Sequence, residues 1–560
     1  MHRRRWALRT RKIAQITFLG FLVSALSAQV AEDRGRGFGF PEDWTHHRLK
    51  FSSAMLHQHP EIAVREPRAA IQLFKEALAQ SRPRPLNPVS APDFTAPASH
   101  PDWSYPLGTG RVGFGMYPAK WNSDPTLPIT SANCNTDFVI YGLNVAGATG
   151  GQPGMIAFYN LYSGSAPFLC SGGQPKVLFS YNTTTATGGR IQTSPVLSSD
   201  GKKVAFVETV VTNPKTTIFH VLTIPAIGSN GTATASVLPP AGTMTSLTIV
   251  ANSDTRSSPW IDYPSDSAYV AADDGKLYKI HPVFTGAPAL VTTAPWPITI
   301  RASGVFTSPV LDVNGDVYLG GGNGSIYTTN VNSATPVVTS HAVGTNGQLN
   351  PGILDSPLLD SGNSVFAISA NDSTTSHSAV VVQMATTTLA EKARINIGQG
   401  STGGTAVNLY DGDFDNNFTT PGSGHLLVCG TASGSTIPAT YMLPFNASGN
   451  LTLTGASVNN VSTSNAARCG PVTEFFNQNV GAGGTDFFFW GVTRNCRSGT
   501  NGCILSLANG VGGPNSPQEF GGTSGIIVDN NSTSGQAHSI YFSTEGSPLD
   551  AVKLTQDLLN

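Results

Sequence analysis

The chain has 560 residues, of which 12% are charged, with 60 glycines, 38 prolines and a formal net charge of −2. So low and balanced a charge excludes electrostatic binding to nucleic acid or to an anionic membrane surface. Charged residues stand at about half their usual share, and Gly, Ser, Thr and Asn fill the surface positions instead.

Arg3, Arg4, Arg5, Arg9, Arg11 and Lys12 precede an apolar run from Ile13 to Leu26 and the small pair Ser27-Ala28. This is the pattern of a secretory signal peptide over residues 1–28, with the mature chain starting at Gln29. The apolar run is too short for a bilayer span and nothing later resembles one. A secreted protein, periplasmic, extracellular or at the cell surface, is therefore expected, with no transmembrane segment after cleavage.

Residues 29–101 read as an N-terminal segment distinct from the repeating chain beyond it. Pro67 to Gln80 places Ala70, Ile71, Phe74, Ala77 and Leu78 on one stripe, which predicts one amphipathic helix with Pro67 in its first turn. Prolines at 83, 85, 88, 92, 97 and 101 then mark a semi-rigid linker. The stretch up to about residue 60 reads as mobile and dispensable. It carries His46, His47, His57 and His59; a His-x-His pair on a strand could share a metal with His46 or His47, but the favoured reading is a solvated surface. Gly108 to Gly113 matches a dinucleotide-binding pattern by letter, yet Phe114-Gly115-Met116-Tyr117-Pro118 offers no helix N-terminus to receive a pyrophosphate.

From Trp103 onward the chain repeats. Ser194-Pro195-Val196-Leu197, Ser258-Pro259-Trp260-Ile261-Asp262, Ser308-Pro309-Val310-Leu311-Asp312 and Ser356-Pro357-Leu358-Leu359-Asp360 each lead through a turn into a Val/Tyr/Phe-rich run. Eight such runs can be counted, beginning at Phe138, Val204, Ala268, Val317, Val365, Leu426, Phe487 and Ile540. A period near 50 residues with four strands in each unit predicts an all-β fold, a β-propeller of eight four-stranded blades over residues 102–560, with seven blades as the alternative count. The last unit ends soon after its third strand, Ala551 to Leu554, while Asp102-Trp103-Ser104-Tyr105 resembles an outer strand. The two ends are expected to share a blade, which closes the ring and covers its open edge.

The Ser308 to Tyr327 unit resembles the repeat of quinoprotein-type propellers. Phe138-Val139-Ile140-Tyr141, Phe158 to Gly164, Asp411 to Asn416 and Gly522 to Asn530 resemble a family of uncharacterised exported bacterial propeller proteins. The first resemblance implies pyrroloquinoline quinone (PQQ) as a cofactor. With seven tryptophans and no vicinal cysteine pair, the docking residues of quinone-dependent dehydrogenases are missing, and no quinone is expected.

Cys134, Cys170, Cys429, Cys469, Cys496 and Cys503 are an even set in a chain read as exported. Of 15 connectivities, proximity along the chain selects 134–170, 429–469 and 496–503. Asp411, Asp413 and Asp415 alternate in a tight loop and make a calcium candidate, weighed against an ordinary Asx-rich turn. Asp262, Asp312 and Asp360 read as turn residues capped by their own carboxylates, with a carboxylate-lined channel mouth as the alternative. No nucleophile elbow, phosphate loop or zinc-protease motif occurs, although Ser, His and Asp brought together from separate blades would leave no local signature. The expected function is a monomeric binding module for a glycan, peptide or protein partner. The alternative is an enzyme with its site at the propeller channel, either a quinone-dependent oxidoreductase or a polysaccharide lyase or hydrolase.

Overall fold

The computed structural model describes residues 39–81, 99–123, 133–164 and 168–556, apart from short stretches at 346–351, 361–362, 374, 402–405, 421, 478–479, 481–483, 497–498, 510, 516–517 and 531–537. Residues 1–28, read as a signal peptide, and most of the Pro-rich linker lie outside the described residues. Eight antiparallel sheets follow one another along the chain and form an eight-bladed β-propeller. Their second strands are Phe138–Gly142, Lys203–Val210, Ser267–Ala271, Asp316–Gly320, Ser364–Ser369, His425–Thr431, Thr485–Val492 and His538–Ser543. Each contains one of the eight runs counted in the sequence. These runs are apolar at consecutive positions because each blade packs on a neighbour at both faces; Phe487, Phe488, Phe489 and Trp490 are all fully buried.

The serine of the Ser-Pro repeat joins adjacent blades. The Ser194 amide donates to Ser258 Oγ at 2.9 Å, and the Ser258 amide donates to Ser308 Oγ at 2.8 Å. The Ser258 and Ser308 hydroxyls thus each satisfy a backbone amide of the blade before. At the other end of these inner strands, Asp312 accepts from the amides of Asn314 and Asp316, and Asp360 from those of Asn363 and Ser364, the expected Asx turns.

Ring closure is as the sequence implies. Ser99–Pro106 is the outer strand of the last blade, pairing with Asp550–Gln556 so that Trp103 faces Lys553 and Tyr105 faces Ala551. Trp103 is buried, and its Nε1 donates to Leu161 O of the first blade at 3.1 Å. Two buried ion pairs strengthen the seam: Lys120 of the first inner strand meets Asp529 of the last at 3.0 Å, and Lys553 meets Asp102 at 2.9 Å. The three disulfides are those selected by proximity. Cys134–Cys170 lies within the first blade, Cys429–Cys469 ties the sixth to the connection entering the seventh, and Cys496–Cys503 closes a hairpin of the seventh.

The N-terminal segment departs from the sequence reading. Its residues from Phe40 to Ser52 are mostly buried, because they occupy the axis of the ring, whereas His57–His59 and Val64 are exposed. Gly39–Glu42 adds to the inner edge of the first blade, with Gly39 opposite Ser123 and Glu42 opposite Lys120, and so runs toward the Ser-Pro end. A single 3-10 turn, Trp44–His47, is capped by Asp43, whose carboxylate accepts from Thr45 N at 3.1 Å. The chain then reverses, and Leu49–Lys50 pairs in parallel with the inner strand Leu358–Asp360 of the fifth blade. Three helices come next where one was expected: Ser53–Gln58, Glu61–Arg65 and Pro67–Ser81. The Arg68 guanidinium anchors them to the ring, donating to Ile261 O at 3.0 Å and lying 4.4 Å over Trp260.

The reason for this insertion is apolar burial combined with paired charge. Phe40, Trp44, Leu49, Phe51 and Leu56 are each at most 4% exposed. Trp44 meets Trp260 edge-on at 5.7 Å, and Arg48 forms ion pairs with Asp355 and Asp411 at 2.7 and 2.8 Å. Burial alone would lower the Arg48 pKa, but these carboxylates outweigh it and raise it.

Trp44→Ala should destabilise the protein by about 3–5 kcal/mol, read by urea denaturation; a loss below about 1 kcal/mol would place Trp44 outside the core. Alkylation of the denatured, unreduced chain should find no free thiol among the six cysteines, checked by mass spectrometry.

Candidate binding site

Residues 107–118 connect the outer strand of the last blade to the inner strand of the first, and they cross the Ser-Pro end of the axis. The Met116 sulfur accepts from the hydroxyls of Ser194 and Ser258 at 3.6 Å each, and Met116 O accepts from Gly525 N at 2.7 Å. Phe114 packs edge-on against Tyr410 at 5.0 Å, and the Arg468 guanidinium lies 4.1 Å over Phe114. Gly115 has φ +81°, and a Cβ there would collide with the Tyr410 ring, so only glycine fits this approach. Beneath the crossing, Tyr117 stacks on His47 at 5.1 Å and 11°. Crossing loop and N-terminal hairpin therefore meet on the axis, and the channel is filled by the chain itself.

The open space lies beside this crossing. A cavity of about 480 Å³ sits over blades six to eight, lined among others by Arg111, Arg468, Arg494, Glu545 and the Cys429–Cys469 bridge. Arg111 is committed within the fold: its Nη1 donates to Glu545 O at 2.6 Å, and its Nε lies 3.1 Å from Glu545 Oε2. Arg468 and Arg494 have no carboxylate within ion-pair distance among the described residues. Burial pushes the Glu545 carboxyl up to about 8, against the lowering effect of Arg111 and Arg468. The result is a preformed polar recess lined by three arginines and one carboxyl, with Arg468 close enough to Glu545 to lower its pKa and without an ion pair of its own among the described residues.

The residues singled out in the sequence are placed elsewhere. Asp411 Oδ2 accepts from Arg48, Asp413 Oδ2 lies 2.9 Å from Lys50 Nζ and accepts from Glu474 N, and Asp415 Oδ2 lies 2.8 Å from His425 Nδ1. The loop is thus the receptor for the two cations of the N-terminal hairpin. The histidines do not converge. His47 is buried on the axis, His46 lies 3.5 Å from Asp43, and His59 is an exposed helix cap 3.1 Å from Glu61, so His57 and His59 stand at a helix end and not on a strand. The cavity residues escaped the sequence reading, since Arg111, Arg468, Arg494 and Glu545 come from four separate connections with no shared motif.

No protein-family model and no curated protein sequence matches the chain. Among solved structures, similarity is found to BamB from Moraxella catarrhalis, at 13% identity over 73% of this chain and 95% of that one with a TM-score of 0.40. Sqt1 from Saccharomyces cerevisiae gives 10% identity over 82% and 99% with a TM-score of 0.45. A putative 6-phosphogluconolactonase from Bacteroides fragilis gives 12% identity over 68% and 95% with a TM-score of 0.37.

The raised Glu545 carboxyl has a direct consequence for stability. Because its folded pKa lies above its unfolded one, the fold binds more protons between them, so this contribution is complete below about 4.5 and is lost as pH rises through about 8. The melting temperature should fall across that window, and Glu545→Gln should flatten the fall. An unchanged pH profile in the variant would show that Glu545 does not titrate there.

Proposed function

We propose that this protein is an exported binding module that holds an acidic segment of a peptide or protein partner in the cavity over blades six to eight. The observation that carries the reading is the set of arginines lining a preformed recess, of which Arg468 and Arg494 have no carboxylate within ion-pair distance among the described residues. Among the described residues no lining side chain is aromatic, so they supply none of the stacking surface that sugar rings favour, and this supports a peptide over a glycan. Three disulfides support an oxidising destination, and no described helix is long and apolar enough to cross a membrane. Likeness to the exported propeller family belongs to the same proposal.

An enzyme site in the channel, the alternative reading, has less to support it, because Trp44, His47, Arg48 and Tyr117 fill the axis. The same side chains occupy the space that a quinone on the axis would need, so the residues present do not fit PQQ. Calcium at Asp411, Asp413 and Asp415 would have to displace Arg48 and Lys50 from two of its three carboxylates.

A peptide array and a glycan array probed with the purified protein test the reading. Retention should concentrate on acidic peptides, weaken with added salt, and drop at least about tenfold in Arg468→Ala/Arg494→Ala. Selection of neutral glycans, or binding unchanged in the double variant, would contradict it.

A further inference from the structure

The second blade contains a chain of three side chains on three consecutive strands. Glu208 stands on Lys203–Val210, His220 on Thr216–Thr223 and Ser246 on the outer strand Met244–Ala251, where the register sets Ser246 opposite His220. Ser246 Oγ lies 3.0 Å from His220 Nδ1, and His220 Nε2 lies 2.9 Å from Glu208 Oε2. Glu208 and His220 are buried, whereas Ser246 is exposed on the edge of the propeller.

Each member is held in a definite state. Burial alone would raise the Glu208 carboxyl, but hydrogen bonds from His220, Thr185 and Ala186 keep it below its ordinary value and therefore ionised. The Thr185 amide and hydroxyl reach Glu208 at 2.9 and 2.6 Å, and the Ala186 amide at 3.0 Å. The turn carrying these donors closes on the carboxylate so tightly that a Cβ at Gly189 would collide with Glu208 Oε1. An ionised Glu208 only accepts, which puts the imidazole proton on Nε2 and leaves Nδ1 to accept from the Ser246 hydroxyl. Phe206 stacks on the ring at 4.9 Å and 20°, fixing its plane. A buried histidine seeking only partners would be satisfied by any exposed-side donor or by water. Here the tautomer is directed toward an accessible hydroxyl by a carboxylate with three further donors.

We propose that Ser246, His220 and Glu208 form a nucleophilic triad that cleaves carboxylic esters displayed on the surface of a larger molecule. A serine exposed on an outer edge strand suits an ester that protrudes from a polymer, such as a short acyl group. In the acylation step Ser246 Oγ bonds to the ester carbonyl carbon while its proton passes to His220 Nδ1. The carbon–oxygen bond to the alcohol then breaks, and His220 returns the proton to the leaving alkoxide. Water repeats the sequence on the acyl-serine, releasing the acid and restoring the Ser246 hydroxyl. Glu208 stabilises the imidazolium between the two proton transfers and acts as a positioning residue.

The test is active-site labelling of the full chain with a fluorophosphonate probe, mapped by peptide mass spectrometry. Covalent modification of Ser246 at one probe per chain, absent from Ser246→Ala, is expected. Ser246 is exposed, so that variant should melt with the wild type, which separates loss of the nucleophile from loss of the fold. Glu208→Gln should label at least about 100-fold more slowly. If that variant does not fold, Thr185→Val, which removes one donor to the carboxylate, should slow labelling instead. A folded wild-type chain with no adduct at Ser246, or a folded Glu208→Gln protein labelled at the wild-type rate, would overturn the proposal.

Discussion

A ring of eight blades leaves a hole on its axis, and the packing of every inner strand depends on how that hole is filled. Inner-strand residues such as Trp260 would face water if the axis were open, and their burial would be lost. This chain fills it with its own N-terminal residues, and the fit depends on Arg48. Its guanidinium reaches Asp355 and Asp411, in the connections before the inner strands of the fifth and sixth blades, while its carbonyl accepts from Leu359 N at 2.8 Å. Breaking such a buried arrangement from one side leaves uncompensated charge, which costs several kcal/mol, so hairpin and ring are held as one unit.

That constraint moves the functional question from the axis to the faces. The hairpin on the axis and the crossing loop over its Ser-Pro end meet where Tyr117 stacks on His47. Accessible among the described residues are the recess beside residues 107–118 and the outer edge of the second blade. The recess presents fixed positive charge in a chain with little charge of any kind, which sets its two guanidinium groups apart from their surroundings. The outer edge of the second blade presents an oriented serine. The two sites use different chemistry and share no residue.

Much of the ring was legible because its signals are local. The second strands are buried on both faces, so each appears as an uninterrupted apolar run such as Phe487 to Trp490. The Ser-Pro phrase repeats where its hydroxyl serves a neighbouring backbone amide, as at Ser194, Ser258 and Ser308. Closure could be read from an unpaired last strand and a matching Trp103-Ser104-Tyr105. The hairpin was not legible, since its strands have four and two residues and its charged partners lie 307 and 363 positions away. Asp411 and Asp413 therefore read only as a turn or a calcium candidate, and nothing near them in sequence points to Arg48 and Lys50, the cations they meet. The recess and the Glu208–His220–Ser246 chain were hidden for the same reason: their members meet through sheet register and connections, and no spacing in the sequence records that.

Amide hydrogen exchange over residues 39–50, compared with the inner strands Ala119–Ser123 and Leu358–Asp360, tests the filled axis most directly. If the hairpin is part of the ring, the Leu49 and Lys50 amides and those of the two inner strands should be protected to a similar degree and open together as denaturant is added. Exchange of the hairpin amides at the rate of an unstructured peptide, with the inner strands still protected, would show that the blades hold without it and that the axis is open.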